Sequence, residues 1–416
     1  MTNEDLWDGE AQDDDLPVEV GDDFDEGLPY EEPVGRELPP REFKGWHRPR
    51  KHRVRTSQWL GAFKSLLPAL IAVKPNRESV NYFGLPGSDM IDVTMFAAEC
   101  SKQGVPLRYL GLDRSAGEGS VEGTYLNLAR EELRRSGFVH RESDVLPDDF
   151  VSLADVRSPA YIAAKDLSFD IVNLDFCGSA TNDPAGGRDS MYAAIGGLLK
   201  IQMARDEPWV LLLTGTFDRT GQSKAGELNA ISLIDALRRG VEACGDESVS
   251  VARTVFGASD AIFPDPDSCS DQTFNHLHVL AFLRWISGVG KQHRTAKYRL
   301  TSVHSYRLHA DRPAPDMFSI AVFVKPEPPY ISDPAKLLPH AVVPDDCAEL
   351  RQQTRRMDSV KDVDEELRNS DSLFESSRDG MADILGSRWY SKVDYLDSEF
   401  SRHIEAAASG VADAAG

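Results

Sequence analysis

A glycine-bracketed turn and three aspartates, each placed after a strand-like run, are the residues whose types and spacing could do chemistry. The turn is Gly84-Leu85-Pro86-Gly87-Ser88-Asp89, and the aspartates after the later runs are Asp113, Asp144 and Asp175. Glycine lacks a Cβ, so a ligand can approach its backbone closely. An ionised carboxylate can accept hydrogen bonds from two hydroxyls at once. A second set is basic and aromatic: His47-Arg-Pro-Arg-Lys-His-Arg-Val-Arg55, with Trp46 and Trp59 at its edges. There Arg50, Lys51 and Arg53 can pair with phosphates, and Trp59 offers a stacking face. Plainer readings compete with each of these. The turn serves equally as an ordinary strand-to-helix bend, Asp113 as a helix cap or surface acid, and Asp175 with Ser179 as a cap for the next connection. The basic stretch could be a solvated linker, or a partner for an acidic tail.

The elements that must position these residues alternate along the chain. Strand patterns are expected at 80–84, 107–112, more weakly at 138–142, then at 169–174 and 209–214. The run Trp209-Val-Leu-Leu-Leu-Thr214 is continuously apolar, as in a strand covered on both faces. Helical periodicity falls between them, at 56–72 with a break near Pro68, and at 90–103, 124–135, 191–203 and 228–241. Residues 273–287 read as a further buried helix, followed by β-rich runs at 298–308 and 317–324. Such alternation predicts a doubly wound, mostly parallel seven-stranded sheet, with an antiparallel hairpin at its end. Ligands of such sheets bind beyond the carboxyl ends of the strands, which puts the turn and the three aspartates on one rim.

This arrangement resembles the class I S-adenosylmethionine-dependent methyltransferases over roughly residues 78–326. The resemblance implies S-adenosylmethionine as cofactor, held by Gly84, Leu85, Gly87 and Ser88 after strand one. Asp113 would take the ribose hydroxyls, and Asp144 with Val145 the adenine. The fourth-strand motif, Asn173-Leu-Asp-Phe-Cys-Gly-Ser-Ala180, is similar to that of nucleic-acid amino-methyltransferases. By that likeness Asp175 would hold an exocyclic amine of a base while Phe176 stacks on it, and catalysis would be mostly positioning. The chain departs from the family pattern in two places: the turn is Gly-x-x-Gly, and Tyr82 stands where an acid is usual. These departures keep a second reading open, an inactive methyltransferase-like scaffold that binds a protein or nucleic acid.

Composition narrows the classes further. The 416 residues are 41% hydrophobic, and 68 acids against 46 bases give a net charge of −22, so only a local basic patch could meet nucleic acid. Residues 1–40 hold fifteen acids and the single base Arg36, and read as a disordered acidic tail. Residues 41–77 form a basic segment and first helix, 78–330 the methyltransferase-like domain, and 331–416 a helical extension with a frayed end. DNA or RNA is the partner expected of residues 41–59, and a protein that of the tail or the C-terminal helices. Five scattered cysteines without a Cys-x-x-Cys pair suit neither a disulfide framework nor a zinc site, and point to the cytoplasm. Neither a Gly-x-Ser-x-Gly elbow nor a phosphate loop is present, no metal site is indicated, and no apolar run suits a membrane.

Overall fold

Eight strands form one sheet in the order β3-β2-β1-β4-β5-β7-β6-β8 in the computed structural model. It describes residues 41–403 apart from 118, 177, 184–186, 188–189, 220–221, 259–260, 310–311, 313 and 328–344. The acidic tail, the last residues from 404 and the start of the C-terminal extension lie outside the described residues.

The strands are β1 (Val80–Gly84), β2 (Leu107–Leu112), β3 (Asp144–Leu146), β4 (Ile171–Asp175), β5 (Trp209–Thr216), β6 (Ala296–Tyr306), β7 (Met317–Pro326) and β8 (Lys361–Asp362). β1 to β5 run parallel, and β7 pairs antiparallel with both β5 and β6. That is the expected doubly wound, mostly parallel α/β sheet, whose strand order turns back between β1 and β4. An eighth strand joins the expected seven because the C-terminal extension adds two residues beside His304 and Ser305 of β6.

The first helices are α1 (Pro49–Arg53), α2 (Leu60–Val73), α3 (Ile91–Ser101), α4 (Val121–Ser136), α5 (Pro159–Lys165) and α6 (Met191–Gln202). They are followed by α7 (Lys224–Ala243), α8 (Asp246–Phe256) and α9 (Asp271–His293). Side chains alternate across each strand, so the sheet sorts its cover into two layers. Tyr82, Tyr109 and Leu212 meet Phe63 of α2, Phe96 of α3 and Leu126 of α4 on one face. Phe83, Val172 and Leu211 meet Ala164 of α5, Leu198 of α6, Ile234 of α7 and Leu280 of α9 on the other.

Three expectations need correcting. A helix does not break at Pro68: α2 continues through it, because buried Leu66, Leu67 and Leu70 secure both sides of the one hydrogen bond that proline forfeits. Residues 138–142 make only an isolated bridge, Val139 to Leu107, and the third strand lies later, at Asp144–Leu146. The cysteines are not all free either. Cys244, at the end of α7, forms a disulfide with Cys347. That bond pins α10 (Asp346–Arg356) to the core, ahead of α11 (Val363–Arg368), α12 (Asp371–Gly386) and α13 (Lys392–Asp397). Among the described residues, no helix is long and apolar enough to cross a membrane.

Candidate functional site

The rim beyond the carboxyl ends of β1, β2 and β4 gathers most of the expected cofactor residues. Gly84 of β1 is in register with Gly111 of β2, so Asp113 stands next to the turn that follows β1. Pro86 of that turn lies against Gly111, where a Cβ would come within 2.8 Å of its ring. Gly111 is therefore required for the turn to rest on β2. Gly87 completes the bend at φ +60°, a left-handed conformation that favours glycine, and none of the described residues lies within 4 Å of where its Cβ would be. Asp113 is half-buried, and its Oδ1 accepts from the backbone N–H and hydroxyl of Ser115, at 2.8 and 2.6 Å. Those bonds hold the carboxylate at the strand end.

Other expected residues are placed differently. Asp144 begins β3, level with Leu110, instead of following it, and its carboxylate is paired with Arg130. Val145 is buried against Gly111. Asp148 and Asp149 follow the end of β3, and Asp149 pairs with Arg114. Ser88 lies in the turn, but its Oγ accepts from Arg41 at 2.8 Å. Leu85 packs on the core.

The corner between β1 and β4 is filled by the chain's own charges. Lys51 is buried and donates to Asp175 Oδ1 at 2.5 Å, with the Tyr306 hydroxyl 3.4 Å away. Its ammonium sits 4.6 Å from the Trp59 ring centre and 5.9 Å from that of Tyr306, two faces that attract a cation. Burial pushes the Lys51 amine below its ordinary pKa, against the pull of Asp175. Asp92, in the first turn of α3, accepts from Arg55 at 2.8 Å and from the Asn173 amide at 3.2 Å. The same amide donates to the Tyr82 hydroxyl at 3.3 Å. Tyr82 stands where the resemblance has an acid and lies over Gly84, where a Cβ would meet its hydroxyl at 2.3 Å. Burial pushes the Asp92 carboxyl up and the Tyr82 phenol well up.

The basic stretch is thus not a solvated patch. Arg50 pairs with Asp364 at 3.0 Å, Lys51 with Asp175, Arg53 with Glu366 at 2.6 Å and Arg55 with Asp92. The Trp59 indole donates to Ser319 at 2.9 Å, and the residue is only 1% exposed. As folded, Arg50, Lys51 and Trp59 present nothing to a phosphate or a base. Phe176 is also packed into the core: it is only 5% exposed, and its ring lies edge-on against Phe150, 5.4 Å between centres.

A further hub ties the turn to both ends of the described chain. Asp89 meets Arg41 at 2.7 Å, His47 at 3.0 Å and Tyr390 at 3.2 Å, and Arg388 donates to its backbone carbonyl at 2.9 Å. Burial alone would raise the Asp89 carboxyl, but His47, Arg41 and Trp46 bring it down to about 2. Asp89 was placed in the rim turn but given no role, and Asp92 was missed altogether. The available signal was an acid at each end of the buried Met90-Ile91 pair, where a helix begins. Elsewhere a groove of about 580 Å³ opens on the later turns of α7, where its charges answer each other, Arg238 to Asp235 at 2.9 Å.

S-adenosylmethionine fits one half of this rim better than the other. A part-exposed carboxylate at the end of β2 beside an open Gly87 suits ribose hydroxyls and an adjoining chain. Tyr82 over Gly84 narrows the approach at β1. Among the described residues the buried Asn173 Oδ1 has no hydrogen-bond partner, which leaves one acceptor to spare at that corner.

No curated protein matches this chain. Among solved structures, the crystal structure of DszA carbon methyltransferase is similar at 10% sequence identity and a TM-score of 0.29. The match covers 66% of this chain and 56% of that one, so this chain spans little more than half the length of that structure. A family model described as PP_RS20740-like matches residues 40–400, and the chain belongs to that family.

Proposed function

For this member of the PP_RS20740-like family, we propose S-adenosylmethionine-dependent methyl transfer to a nitrogen acceptor. The observation that carries the reading is the placement of Asp113 at the carboxyl end of β2, one strand from the Gly84–Ser88 turn, in a sheet with the antiparallel β7. Asp113 would hold the ribose hydroxyls, and the backbone around Gly87 would receive the methionine end. The cofactor supplies an activated methyl group. Asp175, at the end of β4 across the same crevice, would hold an amine by accepting its hydrogen bond. The expected nucleic-acid base is not favoured over other amines, because the basic segment and Phe176 are committed to the fold. Calorimetric titration of S-adenosylhomocysteine into the full chain tests the reading. One site per chain is expected, and no heat at high protein concentration would contradict it.

One observation favours the second reading, a scaffold without catalysis. Tyr82 covers Gly84, and Lys51 and Arg55 occupy the two acids of the β1–β4 corner, so that corner stands as a structural ion network. A scaffold would bind neither cofactor nor product, and Asp113→Ala would leave its partner complex intact.

A further inference from the structure

The amine that Asp175 holds belongs to the chain itself, and it is not free to leave. Residues 41–59 are tied down by Arg41 and His47 to Asp89, Arg50 to Asp364, Arg53 to Glu366 and Arg55 to Asp92. Withdrawing this segment would strand several buried charges at once, at a cost comparable with the stability of a whole domain. A second amine therefore cannot replace Lys51 at Asp175 while the chain stays folded.

Resting on the cofactor reading above, we infer that Lys51 Nζ is itself a methyl acceptor, so that the chain methylates its own N-terminal segment. Lys51 Nζ first passes a proton to Asp175, its partner at 2.5 Å. The freed lone pair then takes the sulfonium methyl. The new N–C bond forms as the S–C bond breaks, and the electron pair of the broken bond stays on sulfur as a neutral thioether. Asp175 is part-exposed and releases its proton to water. The product is a methylammonium, which the faces of Trp59 and Tyr306 accommodate as they do the parent cation. Burial, by lowering the amine's pKa, enlarges the fraction of Lys51 that carries a free lone pair.

The test uses the full chain and two readouts. Peptide mass mapping of the protein as purified, and after incubation with S-adenosylmethionine carrying a deuterated methyl, should find one added methyl on Lys51. It should approach one per chain, at a rate independent of protein concentration. Separately, calorimetry compares S-adenosylmethionine with S-adenosylhomocysteine on the native chain and on Lys51→Met. Removing a cation that faces the sulfonium should improve the charged ligand relative to the neutral one by about tenfold. Binding of both ligands with Lys51 unmodified in every sample, and with an unchanged ratio, overturns the inference and leaves the cofactor reading standing. Binding of neither ligand overturns both.

Discussion

At the carboxyl ends of β2 and β3, side chains answer to neighbours near the surface: Asp113 to Ser115, two positions on, and the part-exposed Asp149 to the exposed Arg114. At those of β1 and β4 they answer to residues far along the chain, Asp92 to Arg55 at a separation of 37 and Asp175 to Lys51 at 124. The first corner is a set of local turns at the surface, whose polar groups can exchange a neighbour for a ligand at little cost to the fold. The second is a largely buried network, in which Arg55 and Asp92 above all are tolerable only as a pair. A ligand site and a structural lock thus share one rim.

The largest effect should come from breaking the lock. Asp92→Ala would leave the Arg55 guanidinium buried and unpaired, and should cost about 3–5 kcal/mol in urea unfolding. Burial raises the Asp92 carboxyl even beside Arg55, so the pair costs desolvation as well as giving attraction. The double replacement Arg55→Met with Asp92→Leu should therefore recover most of the loss. A double variant as unstable as the single one would contradict the ion-network account.

Acid should weaken the same side next. Asp89 is held at about 2 against an ordinary 3.8, which corresponds to about 2 kcal/mol of stability. Its folded pKa is depressed, so this contribution is complete above pH 3.8 and is lost as the pH falls through about 2. Asp89→Asn should flatten that limb of the stability–pH curve, and an identical limb in the variant would refute the assignment.

A smaller loss, about 1–2 kcal/mol, is expected for Lys51→Met, because Asp175 is 16% exposed and can be solvated once its partner is gone. A loss as large as that of Asp92→Ala would mean that Asp175 is as dry as Asp92. The smallest stability change, about 0.5 kcal/mol or less, should follow Asp113→Ala, which removes only a local turn contact. Thermal unfolding of the two variants side by side measures the contrast between the corners directly.

Much of the frame was legible because it is written locally. The apolar runs of β1 and β2 match their strands residue for residue, and the two closing runs formed the antiparallel pair. Asp113 could be placed from its position after one such run. β3 was misplaced because its three residues carry too little pattern, while the apolar Phe138 and Val139 nearby make only a bridge. The basic segment was misjudged for another reason. A run of seven bases looks solvated until its partners are known, and Asp92, Asp175, Asp364 and Glu366 lie 37 to 314 positions away. No local composition reports a contact of that range. Tyr82 was recognised as a departure from the family pattern, but only coordinates show its hydroxyl over Gly84.

The most direct measurement is a crystal structure of the full chain soaked with S-adenosylhomocysteine. The ribose hydroxyls should be found on the Asp113 carboxylate, with the amino-acid end against Gly87 and the thioether sulfur facing Lys51 and Asp175. A ligand bound elsewhere, or a rim that stays closed around Tyr82 and Lys51 at saturating ligand, would contradict the proposed site.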